Sequence, residues 1–497
     1  MAQWTSVVGA PQLARLLGAE PRAERPGGRQ GPAYRALADG IRRLLLEGQI
    51  PVAARLPAER ELAAALRVSR TTVAAAFEAL RTDGYLESRR GAGSWTTVPA
   101  GNPLPTRALT PLPPDSHGTT IDLGCAALPA PEPWLSRGFE SALSVVQPYI
   151  HTHGDYPAGI ADLRQALADR YTRRGVPTRP EQIMVTTGAM GAVAALCRLL
   201  VSHGGRVAVE HPSYANVLQL LRDAGARLVT VPTREGLRGW DLDAWTTTLR
   251  DTAPGMAYVV ADFHNPTGAL ATGEQRRGLV AAAKAAGCPL VVDESMADIV
   301  LDPVEPPPPV SAFDPGGSTV ITVGSASKSL WAGLRIGWVR ASPEVIRTLV
   351  AARAWSDLGS PVLEQLVVTR LMSDGGWEEA VATQRRIAGE NRDALVSALA
   401  RRLPDWEYEV PPGGLTLWAK TGGLSGSLVA EVAERYGVRV PCGTRFGVGG
   451  AFEGYVRLPF TVGGPVAEEA ATRLATAVER VRQQAPGAVD LPRSYVA

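Results

Sequence analysis

Apolar residues recur along this chain in two rhythms, and the rhythm changes near residue 120. In the first part Tyr34, Leu37, Ile41, Leu44 and Leu45 fall at helical spacing, with Gly48 as a stop. The spacing predicts a second helix beginning within Arg55 to Ala63, with Pro57 at its start and Leu62 and Leu66 facing inward. A third runs from Arg70 to Leu80, with Ser69 as N-cap and Val73, Phe77 and Leu80 on its apolar face. Residues 84–90 and 94–98 then read as two short strands around the turn Gly91-Ala-Gly93. From Ile121 onward, continuous apolar runs at 183–186, 206–210, 227–231, 256–260, 289–293 and 320–323 alternate with amphipathic stretches at 161–174, 189–202, 214–224, 241–251 and 273–287. That alternation predicts an α/β fold, a mainly parallel sheet covered by helices on both faces. Long helices and strands near 415–419 and 454–458 predict a smaller α+β subdomain over roughly 340–497.

Between the two rhythms, Pro99 to Thr120 holds six prolines and no hydrophobic period, the composition of an extended linker. The expected organisation is a 1–31 extension, a 32–98 module, a 99–120 linker and a 121–497 body. The extension holds a short helical pattern over 11–18 and then a Pro/Gly/Arg-rich tract. At 497 residues two or three domains are expected. No run of about 18 apolar residues occurs, so no membrane span is expected. The N-terminus lacks a secretory pattern, so the cytoplasm is the default location. Four scattered cysteines, Cys125, Cys197, Cys288 and Cys442, offer neither a disulfide framework nor a metal knuckle.

Net charge is only +2, but nucleic-acid binding needs a local footprint. Between Pro32 and Thr97 there are ten arginines against seven acidic residues. Three helices followed by a hairpin make a winged helix-turn-helix. The third helix opens on Arg70-Thr71-Thr72, a cation and hydroxyls at the end that enters a major groove. A small helical module packing on another body is the plainer alternative. The patterns Leu56-Pro57-x-x-Arg60-x-Leu62-Ala63, Val68-Ser69-Arg70-x-Thr72-Val73 and Arg90-Gly91-x-Gly93 resemble the DNA-binding domain of GntR-type bacterial regulators. The resemblance implies that Arg60, Ser69, Arg70, Thr71, Thr72 and the wing at Arg90 and Gly91 contact double-stranded operator DNA.

Of 51 basic side chains only three are lysines, Lys284, Lys328 and Lys420. Lysine, unlike arginine, can lose its proton and attack a carbonyl. Lys284 reads as a surface helix residue and Lys420 as a strand-end charge. Lys328 follows an apolar strand, sits in Ser325-Ala-Ser327-Lys328-Ser329 and has Arg335 seven residues on. Hydroxyls, a guanidinium and an amine suit a phosphorylated carbonyl compound such as pyridoxal 5′-phosphate; the pentapeptide alone reads equally as a polar loop. Ligands in α/β sheets collect at the carboxyl ends of strands. There the chain offers Gly188-Ala189-Met190, Tyr214, Asn265-Pro266-Thr267-Gly268, Asp293, and Ser325 with Lys328. Each alone has a bland reading as turn, cap or core aromatic; five in succession do not.

This order, with Arg335 and Arg457, resembles the fold-type I aminotransferases over about 370 residues, which implies a mainly parallel seven-stranded sheet. Joined to the GntR-like module it resembles the MocR/GabR family of pyridoxal-phosphate-dependent regulators. The resemblance implies that Lys328 holds the cofactor as an aldimine, Asp293 pairs with the pyridine nitrogen, Asn265 donates to the phenolic oxygen and Tyr214 stacks on the ring. It gives the phosphate to Arg335, Ser325, Ser327 and the amides at Gly188, Ala189 and Met190, and a substrate or effector carboxylate to Arg457. It implies a homodimer and a DNA-binding regulator that is nucleoid-associated on its operator, sensing a small amine, an amino acid or pyridoxal phosphate itself. The alternative is a metabolic aminotransferase with a vestigial DNA-binding domain. One departure bears on the choice: the tyrosine usual in the family two or three residues after the aspartate is replaced in Glu294-Ser295-Met296-Ala297. That favours sensing over efficient turnover and leaves room for a residual half-reaction.

Overall fold

In a computed structural model, residues 6–17, 33–46, 50, 54–89, 93–97, 99, 112, 120–234, 236–353 and 356–484 are described. The chain divides into two compact units at Thr110 and Pro111, with the end of the chain from Glu479 assigned to the first.

The first unit contains β1 (Ser6–Val7), α1 (Ala10–Leu16), α2 (Ala33–Leu46), β2 (Ala54–Arg55), α3 (Glu59–Leu66), α4 (Arg70–Thr82), β3 (Leu86–Arg89) and β4 (Gly93–Thr96). Its sheet has the order β1-β2-β4-β3. The residues at helical spacing make one core: Ile41, Leu44, Leu62, Val73, Phe77 and Leu80 are all buried there. The second helix begins at Glu59, within the expected stretch and just after Pro57, and Ala54 and Arg55 before it are taken into strand pairing with β1 and β4. One expectation changes. The N-terminal helix is no appendage, since Leu13 is fully buried in the same core.

The second unit is built on a seven-stranded sheet. After the short β5 (Ile121–Asp122) come β6 (Ile183–Thr186), β7 (Arg206–His211), β8 (Arg227–Pro232), β9 (Met256–Val259), β10 (Leu290–Asp293), β11 (Val320–Ser325) and β12 (Gly337–Arg340). The order is β6-β12-β11-β10-β9-β7-β8. The six runs expected from their continuous apolar character are strands, and β9, β10 and β11 are buried along their whole length, as strands covered on both faces must be. The seventh strand, β12, runs antiparallel to both neighbours, β11 and β6. The smaller part holds β13 (Thr416–Lys420), β14 (Val438–Arg439) and β15 (Tyr455–Pro459). Strands β13 and β15 pair antiparallel, while β14 takes β5 as a parallel partner. Among the described residues no helix is long and apolar enough to cross a membrane, and no group of side chains could hold a metal ion.

Candidate functional site

The helix Gly188–Leu200 starts directly after β6. Its N-cap residue Thr187 does not cap it, because the hydroxyl donates to Asp357 Oδ2 at 2.9 Å. The first-turn amides of Gly188, Ala189 and Met190 are thereby left for an anion. Ala189 and Met190 pack their side chains on the apolar layer beneath, so they offer backbone to the turn. Gly188 has φ +75°, and a Cβ built on it would lie 2.7 Å from Arg335 Nη2. The Arg335 guanidinium thus lies across this turn, with Nη2 3.4 Å from Thr187 O. Ser325 Oγ donates to Ser327 Oγ at 2.9 Å and accepts from the Ser327 amide at 3.1 Å, so the two hydroxyls face each other at the end of β11.

At the end of β10, Asp293 is buried and its carboxyl is raised above the ordinary carboxylate range by that burial. Three donors oppose the shift: the Ser295 amide at 2.8 Å, the Ser295 hydroxyl, and Tyr258 Oη at 2.8 Å. Ser295 is thus engaged with Asp293 through both its amide and its hydroxyl. Tyr258 was not legible as a site residue, since it reads as one more apolar position in β9. Its signal was available all the same: a phenol in a fully buried strand needs a partner, and Val291, two residues before Asp293, is its neighbour across the sheet.

Lys328 Nζ donates to Ala126 O at 2.6 Å, and burial pushes its amine below the ordinary lysine value. The charges of Asp293, Arg335 and Arg457 all reach it. Tyr214, at the N-cap of the helix Ala215–Asp223, is within the field of Asp293 and Arg457, with its phenol raised by burial. Asn265 is buried, and its Oδ1 accepts from Arg457 Nη1 at 3.5 Å, which leaves Nδ2 as its donor. Arg457 is itself almost fully buried, lies 5.1 Å over the Phe446 ring, and is lowered to about 10 by burial. Its Nη2 donates to Gly124 O, while Nε is buried without a partner. A buried guanidinium with an unpaired N–H has a donor to spare for an anionic acceptor. Behind Asn265 lies a pair the sequence reading missed: Glu210, fully buried, accepts from Trp240 Nε1 at 2.6 Å and from the Val260 amide, and approaches His264 Nε2 at 3.2 Å. His264 in turn bonds Thr267 at 2.8 Å, bracing the turn that carries Asn265.

In the first unit, Ser69 accepts from the Thr72 amide at 3.1 Å and caps α4, as its position predicts. Its hydroxyl also bonds those of Thr71 and Thr72, at 2.7 Å each. Arg60 is exposed, and Arg70 is exposed with a loose ion pair to Glu59 at 3.4 Å, the kind that yields readily to another anion. Arg90 and Gly91 lie outside the described residues.

Residues 150–474 match the family Aminotransferase class I and II, and residues 33–95 match the bacterial regulatory proteins of the gntR family. The "Probable rhizopine catabolism regulatory protein MocR" of Rhizobium meliloti is 28% identical, covering 82% of this chain and 85% of that protein. The 2-aminoadipate transaminase of Thermus thermophilus is 33% identical over 61% of this chain and 75% of its own. The crystal structure of α-aminoadipate aminotransferase LysN from T. thermophilus, complexed with N-(5′-phosphopyridoxyl)-L-leucine, superposes with a TM-score of 0.68 at 28% identity, covering 74% of this chain and 94% of that one. The fold implies pyridoxal phosphate as cofactor. The donors fit it: uncapped amides with Arg335 and two serines for a phosphate, a depressed amine for an aldehyde and a buried carboxyl for a pyridine nitrogen.

Proposed function

Because the chain belongs to the class I and II aminotransferase family and carries a gntR-type domain ahead of it, the architecture of the MocR/GabR regulators, we propose that it is a transcription regulator whose pyridoxal-phosphate site detects a small amine or amino acid. The observation that carries this reading is the gathering of Lys328, Asp293, Asn265 and Arg457 at the carboxyl edge of the sheet, where Lys328 Nζ donates to Ala126 O and Arg457 Nη1 donates to Asn265 Oδ1. When bound, pyridoxal phosphate supplies an electrophilic carbon that an amine can occupy reversibly. Arg335, Ser325, Ser327 and the amides of Gly188, Ala189 and Met190 hold the phosphate. Asp293 would hold the proton of the pyridine nitrogen, Asn265 would donate from Nδ2 to the phenolic oxygen, and Tyr214 would offer its ring to the cofactor's. Arg457, with its spare Nε, takes the carboxylate of the effector and so favours amino acids over simple amines.

The DNA is held by Arg60, Arg70 and Thr71, with Ser69 and Thr72 shaping the first turn of α4, and with Arg90 and Gly91 as the wing. Operator recognition is expected of a homodimer, whose two heads match paired half-sites. The second reading, a metabolic aminotransferase, rests on the 33% identity to a transaminase; the absence of a tyrosine after Asp293 weighs against it. Purified protein mixed with pyridoxal phosphate should develop the visible band of a protein-bound cofactor, and Lys328→Ala should abolish it. The full chain should retard DNA from its own promoter region. Rapid steady transamination with no retardation would reverse the two readings.

A further inference from the structure

The helix Gly376–Arg402 carries a polar side chain where its neighbours are apolar. Trp377, Ala380 and Val381 are buried in the core cluster that also holds Ala326, Leu330 and Leu334. Gln384, one turn on from Ala380, is fully buried as well. A buried carboxamide costs free energy unless its hydrogen bonds are made. Both donors are used: Nε2 donates to Leu330 O at 2.8 Å and to Pro129 O at 2.8 Å, while Oε1 is buried without a partner. The side chain is thus held through its NH₂ group alone. Both carbonyls stand outside helix and strand, where a buried C=O needs a donor from elsewhere. The two segments that Gln384 bridges are the two that Lys328 joins. Lys328 precedes Leu330 by two residues, Ala126 precedes Pro129 by three, and Lys328 Nζ donates to Ala126 O at 2.6 Å. The residue next to Lys328 is fixed from the same helix: Ser329 Oγ donates to Asp298 Oδ2 at 2.6 Å, Asp298 is ion-paired with Arg170, and Arg385 Nε donates to Asp298 O at 2.6 Å.

We infer that Gln384 is a positioning residue that sets where the Lys328 amine stands, by fixing the spacing between the turn at Leu330 and the segment at Pro129. The inference rests on the cofactor reading above. Condensation of a neutral lysine amine with an aldehyde forms a C=N bond, breaks the C=O bond and releases both N–H protons with the oxygen as water. Nζ must therefore lie within reach of the aldehyde carbon while the phosphate and ring are held by other residues, and a displacement of about 1 Å at an attacking atom is enough to slow such a step severely. Neither hydrogen bond of Gln384 goes to a residue assigned to the phosphate or the ring. Loss of the bridge is felt by a ligand that condenses with Lys328, and not by one that only occupies the pocket.

Paired titrations of the cofactor-free full-length protein test this. Pyridoxal phosphate can condense with Lys328; pyridoxamine 5′-phosphate, with an amine in place of the aldehyde, uses the same phosphate and ring contacts and cannot. Gln384→Met, close to glutamine in length and volume, is expected to raise the dissociation constant of pyridoxal phosphate about tenfold, as for loss of one or two supporting hydrogen bonds, and to change that of pyridoxamine phosphate by less than about twofold. In a Lys328→Ala background the same substitution should cost no further pyridoxal phosphate affinity, because the two residues act through one contact. If Gln384→Met does not fold, Gln384→Asn, which keeps the amide and draws it back by one methylene, is expected to show the same split. Equal losses for the two ligands, no loss for either, or a further loss in the Lys328→Ala background overturns the inference; if the wild-type protein binds neither ligand, the cofactor reading itself fails.

Discussion

A half-buried lysine whose desolvation outweighs the pull of Asp293 makes a cofactor-free protein sensitive to pH in a direction that can be stated in advance. Burial holds the Lys328 amine below its ordinary value of 10.5. Between the folded value and 10.5 the unfolded chain binds more protons than the folded one, so stability rises with pH through that window and falls as pH is lowered. Urea midpoints of the cofactor-free protein should follow this slope, and Lys328→Met should flatten it. Tyr258 is the second residue on which a number can be placed. Tyr258→Phe removes a donor from a buried carboxyl and should cost about 1 to 3 kcal/mol in the same urea experiment. Lys328, Asp293 and Asn265 were singled out because each is a side-chain type with its own chemistry just after an apolar run, whereas Arg457, in the middle of β15, was reached only through the family resemblance. Tyr258 hid inside such a run, and Ala126 meets Lys328 through a carbonyl that every residue possesses, so no side-chain pattern announces it.

At the level of elements, the phosphate turn depends on two glycines facing each other across β12 and the helix Gly188–Leu200. A Cβ on Gly337 would lie 2.5 Å from the backbone carbonyl carbon of Gly188, whereas a Cβ on Gly188 would meet the mobile end of Arg335. Gly337→Ala must push strand and helix apart and should destabilise the second unit by about 1 to 3 kcal/mol. Gly188→Ala should be felt chiefly as weaker cofactor binding, because Arg335 is displaced and a left-handed backbone is forced on alanine. Spectroscopic titration with pyridoxal phosphate, run beside denaturation, separates the two outcomes. Strand β12 itself was not among the runs read from sequence: Ile336-Gly-Trp-Val-Arg340 is short and broken by glycine and arginine, and it pairs antiparallel where the alternation implies parallel strands. The second DNA-module helix starts at Glu59, inside the stretch its apolar spacing marks, but the strand at Ala54 and Arg55 just before it was not read, since its pairing depends on Ser6 and Val7, distant in the chain.

For the molecule as a whole, the N-terminal helix makes a prediction that the extension alone does not suggest. Leu13 shares a core with Ile41, Leu62 and Phe77, so Leu13→Ala should cost about 2 to 5 kcal/mol and speed hydrogen exchange across residues 54–97. Arg70→Ala should weaken DNA retention and lower the slope of log affinity against log salt by about 1, as for one lost phosphate contact. The sheet order carries a consequence of another kind, for the time course of folding. Strand β6, which launches the phosphate turn, lies at the sheet edge with β12 as its one neighbour, and their paired residues are about 150 positions apart. During synthesis β7, β8 and β9 can pair as soon as they emerge, while β6 must wait for Gly337–Arg340 to leave the ribosome. The turn proposed to hold the cofactor's phosphate is thus among the last parts of the sheet to close, and on that reading a nascent chain cannot acquire its cofactor before that closure.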